Sequence, residues 1–311
     1  MSAFDDQIGG NHYKLMMIQP TEYILANNLD WCEANIVKYI SRWRGKGGVD
    51  DLRKVIHYAQ ILIGVVVNPY LIDEPAVISF SGGRTSAYML YKVLEAHGGK
   101  LPEYVVVAFS NTGKEMPQTL DFVDRCSKEW DVPIVWLEFI KEKKAGIVVD
   151  YETASRKGEP FHNLISQKKF IPNDRIRACT EQLKVVPINK YMESLGHDPF
   201  LTAVGIRADE QRRVAKQRAK ENYALPLADA GVTLHDIDFF WSQQSFKLEL
   251  PMSQNGESPL SNCDLCFFKS VSRKLSIIRE QPDMADWWIE QEERIGNVFR
   301  RQHPSYRELK I

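Results

Sequence analysis

The sequence contains no apolar run long enough to cross a membrane. Its longest, Ile61 to Val67, is broken by Gly64 and falls far short of the roughly 20 residues a span requires. Net charge is nearly absent as well: 40 Lys and Arg stand against 41 Asp and Glu, leaving -1. That balance excludes a histone-like or polybasic binder resting on bulk phosphate neutralisation, while a local basic groove stays compatible with it. No secretory leader is indicated, because Asp5 and Asp6 stand where a basic segment followed by an apolar one would be needed. Cysteine is scarce, and an odd total of five does not make a paired disulfide framework. A reducing cytoplasm is the expected setting. Repeats with a period of about 20 to 50 residues and low-complexity tracts are lacking too.

What is present has globular composition. At 44% hydrophobic and 26% charged residues, disorder on composition is excluded. At about 150 residues per domain, 311 residues predict two domains or one large domain with an appendage. Residues 1–70 read as a small all-α module. Tyr23, Leu25, Leu29, Ile36, Tyr39, Ile40 and Trp43 recur at helical intervals, as do Leu52, Val55, Ile56, Ala59 and Ile63 between Val49 and Val67. Gly45-Lys46-Gly47-Gly48 separates the two patterns and predicts a hinge between two helices. Asn68 to Pro75, with two prolines and two acids, reads as a linker to a second domain over 76–311. There the rhythm changes: Ala76 to Phe80, Tyr104 to Phe109, Ile134 to Phe139 and Leu201 to Ile206 predict strands, with helical spacing over Tyr88 to Ala96 and Thr119 to Trp130. The alternation predicts an α/β fold, a parallel sheet with helices on both faces. Lys141 to Arg177 reads as polar, helical or loop-like, and the C-terminal stretch with Trp287 and Trp288 as amphipathic.

Ser81-Gly82-Gly83-Arg84-Thr85-Ser86 stands directly after the first predicted strand and before its helix. Phosphate binding needs backbone N–H donors, glycines that let the backbone approach, hydroxyls and the positive end of a helix, and this segment supplies all four. Arg84 adds a forked cation. The bland alternative is a tight strand-to-helix turn. The hexapeptide resembles the PP-loop, Ser-Gly-Gly-x-Asp/Ser/Thr-Ser, of the adenine-nucleotide alpha-hydrolase-like (HUP-like) superfamily. Three further ordered segments resemble phosphoadenosine phosphosulfate (PAPS) reductases and their sulfur-handling relatives: Asn111-Thr112-Gly113-Lys114-Glu115 with Thr119, Arg177-Ala178-Cys179-Thr180 with Leu183, Lys184 and Pro187, and Gly205-Ile206-Arg207-Ala208-Asp209-Glu210 with Arg213. The resemblance implies that Ser81, Gly82, Gly83, Arg84, Thr85 and Ser86 cradle the anionic tail of ATP, PAPS or adenylyl sulfate (APS), with Mg2+ as companion ion. Asn111, Thr112 and Gly113, at the neighbouring strand edge, would reach the adenosine. Lys184, Arg207 and Arg213 would hold the charge of a leaving pyrophosphate or sulfite. Taken singly, each of these cations reads equally as a solvated surface charge.

Cys263-Asp264-Leu265-Cys266 is a C-x-x-C that suits zinc, an iron–sulfur cluster or disulfide exchange. Its late position weakens the thioredoxin-like reading. With Cys179 it resembles the Cys-Cys plus C-x-x-C set of cluster-containing sulfonucleotide reductases, except that Thr180 stands in for the second cysteine. It is also similar to the three-cysteine arrangement of PP-loop enzymes that thiolate nucleic-acid bases. The resemblance implies Cys179, Cys263 and Cys266 as ligands of a [4Fe–4S] cluster, with zinc or bare thiols as alternatives. Cys32 and Cys126, among apolar neighbours on helical patterns, read as buried small hydrophobes. Thioredoxin-dependent reductases attack through a cysteine in a C-terminal Glu-Cys-Gly-x-His segment. No cysteine follows Cys266 here, so a covalent S-sulfo intermediate is not expected.

The first module carries Asn11-His12-Tyr13, Gln19-Pro20, Trp31-Cys32, Asn35 to Ile40, Arg42-Trp43-Arg44, Lys46-Gly47-Gly48 and Asp50-Asp51-Leu52. These resemble the phage SaV-like domain, sometimes labelled nucleotide kinase, and imply a bacteriophage protein acting in the infected bacterial cytoplasm. No Gly-x-x-x-x-Gly-Lys loop supports kinase chemistry. Lys38, Arg42, Arg44 and Lys46 beside Tyr39 and Trp43 suit nucleotide or single-stranded nucleic acid, or else form a core-facing aromatic stripe fringed by cations. Three functions are expected to compete. The first is a PP-loop ATP pyrophosphatase that adenylates an acceptor, nucleic acid or nucleotide, for sulfur transfer or modification. The second is a PAPS or APS reductase using an external thiol, and the third a non-catalytic nucleotide-binding or host-interaction protein. The expected partners are an adenine nucleotide and a nucleic-acid or nucleotide acceptor; a homodimer is compatible with the sequence, and no membrane partner is expected.

Overall fold

We describe a computed structural model of the chain covering residues 12–14, 16–66, 68–140, 143–251, 260 and 263–311; Asp5, Asp6, Asn11, Val67 and Lys141 of the sequence reading lie outside them. The chain divides into two compact units, 1–68 and 69–311.

The first unit holds three helices where two are predicted: α1 (Pro20–Ala26), α2 (Trp31–Arg42) and α3 (Gly48–Val66). The extra break has a local cause. Asn28 adopts a left-handed φ of 53°, and Asp30 then starts α2 with a capping box, its side chain accepting from Glu33 N while the Glu33 side chain accepts from Asp30 N. The glycine turn separates α2 from α3 as predicted. Among the described residues of this unit only Pro20, Asn35 and Asp51 are buried. Asp51 receives a forked pair of hydrogen bonds from Arg42 at 2.9 and 3.2 Å, and Lys54 lies 3.3 Å from it. Tyr39 lies under Arg42, Lys54 and Lys38, with ring-to-cation distances of 4.6, 4.9 and 5.2 Å.

The second unit alternates strand and helix: β1 (Ala76–Ser79), α4 (Arg84–Ala96), β2 (Val105–Asn111), α5 (Pro117–Glu129), β3 (Ile134–Ile140), β4 (Lys143–Val149) and α6 (Glu159–Lys168). A short turn α7 (Ala178–Thr180) runs through a π-helical stretch, 181–185, into α8 (Val186–Ser194). Then come β5 (Leu201–Val204), α9 (Gln211–Arg218), β6 (Tyr223–Ala224), α10 (Pro226–Asp229), α11 (Leu234–Gln243), α12 (Val271–Glu280), α13 (Met284–Ile295) and α14 (Tyr306–Lys310). The sheet order is β4-β3-β2-β1-β5-β6, parallel throughout except for β4 against β3. The strands AVIS, VVVAFSN and IVWLEFI are nearly continuous apolar runs because both faces are covered. Phe80, Leu90, Val93, Leu120, Phe122 and Trp241 pack one face and Val77, Ala108, Leu137, Ile188 and Met192 the other. The α/β architecture with helices on both faces is therefore the observed one. The stretch read as helical or loop-like contains β4, an edge strand.

From β1 the chain moves through β2 to β3 on one side, then returns to place β5 on the other. In such sheets the reversal opens a crevice at the carboxyl ends of the strands, where ligands bind. Here the reversal falls at β1, and β1 leads directly into residues 81–86.

Candidate functional site

Gly82 turns the loop with φ 73°, a region costly for side chains, and it also leaves no room for one. A Cβ there would stand 2.6 Å from Thr119 Cγ2 and 3.1 Å from Val123 Cγ2. Gly83 is the N-cap of α4 and has no side-chain cap, so the opening amides of the helix have no side-chain acceptor from that position. Ser86 closes the loop internally: its Oγ accepts from Ser81 N at 3.2 Å, donates to Gly83 O at 2.9 Å and lies 2.9 Å from Ser81 Oγ. Ser81 and Arg84 are exposed. Trp241 Nε1 donates to Arg84 O at 3.0 Å, anchoring the helix start, and the Arg84 guanidinium pairs with Asp238 at 2.9 Å. Gly205, just past β5, brings backbone against the same turn; a Cβ there would lie 3.1 Å from Ser86 Cα. The result is an open bend of small and hydroxylated residues at a helix N-terminus, the arrangement that binds phosphate-class anions.

The other sequence-predicted residues take different positions. Asn111 is fully buried and fully engaged: its amide donates to Glu138 at 2.5 Å and to Ser155 O at 2.8 Å, and its oxygen accepts from Gly113 N at 3.0 Å. Its side chain braces the strand edge rather than reaching out. Thr112 is buried as well, donating to both carboxylate oxygens of Glu115 and lying 3.7 Å from Cys263 Sγ. Gly113, at φ 74°, lets residue 158 approach; a Cβ on it would meet Gly158 N at 2.9 Å. Arg207 is held by Asp209 at 2.9 and 3.1 Å and lies 3.7 Å from Glu210, while exposed Arg213 pairs with Glu210. These two arginines sit together after β5. Lys184 is elsewhere, in the π-helical stretch, 3.8 Å from Glu115. Such stretches recur at functional sites because they displace side chains from regular helical positions.

The three cysteines do come into one neighbourhood. Residue 263 bridges to Glu115 backbone, Asp264 N donates to Lys114 O at 2.8 Å, and the loop is locked by a buried ion pair of 2.7 Å between Lys114 and Asp264. The Lys114 ammonium also lies 4.9 Å from the Trp287 ring, and Trp288 Nε1 donates to Asp264 at 2.9 Å. Burial pushes the Cys263 thiol up, with the Glu115 carboxylate adding to the effect. Burial does the same to Cys179, reinforced by Cys266. Desolvation presses on the Lys184 charge, but Glu115 and the sulfurs of Cys263, Cys179 and Cys266 outweigh it, so its ammonium sits above the ordinary lysine range. Among the described residues, however, no three His, Cys, Asp or Glu side chains converge tightly enough to hold a metal ion. Thr180, not a cysteine, follows Cys179, and Thr112 already contacts Cys263. As arranged, the three thiols do not form a complete ligand set for a cluster or zinc among the described residues. Cys126 is buried and Cys32 partly so.

Sequence reasoning gave no role to Glu138, Lys114 or Asp264. Glu138 accepts from Asn111, from Ser155 N at 2.6 Å and from Ser155 Oγ at 2.7 Å. Its signal was legible, since an acid inside the apolar run IVWLEFI must have buried partners. The Lys114–Asp264 pair joins residues far apart in the chain and leaves no local trace.

Residues 75–224 match the phosphoadenosine phosphosulfate reductase domain, and residues 9–60 match a family described as a protein of unknown function (DUF3310). The fold, the loop and the first match together define a PAPS reductase-like member of the adenine-nucleotide-binding PP-loop proteins. The chain is 34% identical over 207 residues to the nin region protein ORF290 of Escherichia phage lambda, an alignment covering 63% of this chain and 67% of that one, and it belongs to the same family. Protein MJ0066 of Methanocaldococcus jannaschii is 29% identical over 254 residues, 79% of this chain but only 46% of its own length. Among the described residues no helix is long and apolar enough to cross a membrane.

Proposed function

We propose that this chain is an ATP pyrophosphatase of the PP-loop type, activating an acceptor for sulfur transfer or nucleic-acid modification. The observation that carries the reading is the open loop 81–86 at the sheet's reversal point, where a glycine-bent backbone runs into a helix N-terminus that has no side-chain cap. In the reaction an acceptor oxygen attacks the α-phosphorus of ATP. The bond from that phosphorus to the bridging oxygen of the β-phosphate breaks, and pyrophosphate leaves with its electron pair. A sulfur nucleophile then displaces AMP from the adenylated acceptor. Loop 81–86 holds the phosphates, Arg84 releases Asp238 to fork onto one of them, and Arg207 and Arg213 exchange their carboxylates for the leaving pyrophosphate. Mg2+ is the expected companion of the triphosphate. Lys184 and the three thiols lie beyond the buried strand edge at 111–115 and are the reading's candidates for handling sulfur. Metal and sulfide analysis of anaerobically purified protein tests whether they carry a cluster or zinc.

Incubation with ATP labelled at the α- and γ-phosphates, with phage or host nucleic acid as acceptor, tests the reading. Acceptor-dependent formation of AMP and pyrophosphate is expected, and ADP with phosphate, or no turnover, contradicts it. A second reading, sulfonucleotide reduction by an external thiol, is favoured by the thiols beside Lys184. Sulfite release from PAPS or APS with added dithiol would support it. In the first unit, a phage SaV-like role in binding nucleotide is supported by the three cations around Tyr39.

A further inference from the structure

We propose that Lys274, Arg300 and His303 form a second seat for a phosphate-class oxyanion, in the C-terminal part of the second unit and outside the residues matched by the reductase family. It does not depend on the nucleotide reading, since none of the three belongs to loop 81–86.

Lys274, on α12, is 1% exposed and its ammonium lies 4.9 Å from the Tyr306 ring. Tyr306 OH donates to Leu265 O at 2.5 Å, so the ring beside this cation is tied to the cysteine loop. A tight turn, with His303 N donating to Arg300 O at 3.0 Å, places the other two side chains just before α14. Buried Arg300 Nε and buried His303 Nδ1 have no hydrogen-bond partner among the described residues, and Lys274 has no ion-pair partner there. Buried polar groups left this way are costly, and an unexplained set of them marks a position where something binds.

The surrounding acids do not neutralise the group. Glu292 faces Lys274, but its two oxygens accept from Phe299 N at 3.1 Å and Tyr306 N at 2.9 Å. Burial brings Lys274 down to about 8, with Arg300 adding to the effect and Glu292 opposing it. His303 is lowered by burial and then by Lys274 and Arg300, against Asp174. Three basic groups thus crowd one another. A tetrahedral oxyanion accepts from a guanidinium Nε, an imidazole N–H and an ammonium together, and its charge relieves that repulsion. The same chemistry is offered by a free phosphate or sulfate and by a phosphate of a nucleic-acid strand.

The test uses the full chain labelled with 15N-histidine, the His303 resonances being assigned by their loss in His303→Gln. Inorganic phosphate, a 5′-phosphorylated single-stranded oligonucleotide and its 5′-hydroxyl counterpart are titrated separately. The proposal predicts a saturable shift of the His303 ring nitrogens that Lys274→Met and, as a second variant, Arg300→Leu weaken about tenfold or more in apparent Kd. Binding at loop 81–86 would not move His303. A response to inorganic phosphate assigns a free oxyanion, and a response to the phosphorylated strand at lower concentration than to its counterpart assigns a nucleic-acid phosphate; both support the seat. No shift with any ligand, or the same shift in both variants, overturns it.

Discussion

Loop 81–86 and loop 263–266 use opposite means to hold polar groups. In the first, conformation does the holding: Gly82 and Gly205 make the bend possible, Ser81 and Ser86 bond to each other, and the helix end stays open. In the second, buried charge does it: Lys114 and Asp264 pair out of solvent, Trp288 and Tyr306 bond to the same loop, and Cys263 lies against Thr112. A loop built on backbone geometry presents donors to a ligand at little stability cost. One built on buried side chains gives rigidity, and it fails sharply when one partner is lost.

The sharpest test of that contrast is Lys114→Met, which leaves Asp264 buried without its cation. A loss of about 3 kcal/mol or more is expected in denaturant unfolding, with nucleotide binding by the remaining folded protein retained. Gly82→Val should do the reverse. Strain at φ 73° and contact with Thr119 cost about 1–3 kcal/mol, but ATP binding, read by equilibrium dialysis, is abolished. Ser86→Ala removes the hydroxyl that closes the loop and should cost about 1 kcal/mol with a several-fold weaker ATP affinity.

Much of this was legible in the chain itself. Strands over 76–79, 105–111, 134–140 and 201–204 fall on the predicted apolar runs because a two-sided parallel sheet demands continuous hydrophobicity. β4 was not, since an edge strand containing Lys143, Lys144 and Gly146 shows neither alternation nor a run. The α1–α2 break was missed because the apolar spacing continues across Asn28, while the Asp30-to-Glu33 cap is what decides it. The phosphate loop announces itself through adjacent residues. The burial of Asn111 does not, for its three partners come from positions 113, 138 and 155.

Smaller effects extend the contrast to the buried acid of the first unit and to an exposed ion pair of the second. In the first unit the Arg42 guanidinium holds the Asp51 carboxyl below its ordinary value of 3.8. The stabilisation is therefore complete above that value and lost as pH falls through the lowered one. Helical signal from α2 and α3, followed by NMR, should fade in that acid range, and Asp51→Asn should remove the dependence. Arg213→Gln, at an exposed pair, should change stability by no more than about 0.5 kcal/mol while lowering the rate of AMP formation.

Where an adenine nucleotide's phosphates sit is the most direct test of loop 81–86 as the phosphate site. A crystal structure with a non-hydrolysable ATP analogue should show them against the backbone of residues 82–86, within hydrogen-bond reach of Ser81 and Thr85. Phosphates bound elsewhere while this bend stays empty would contradict it.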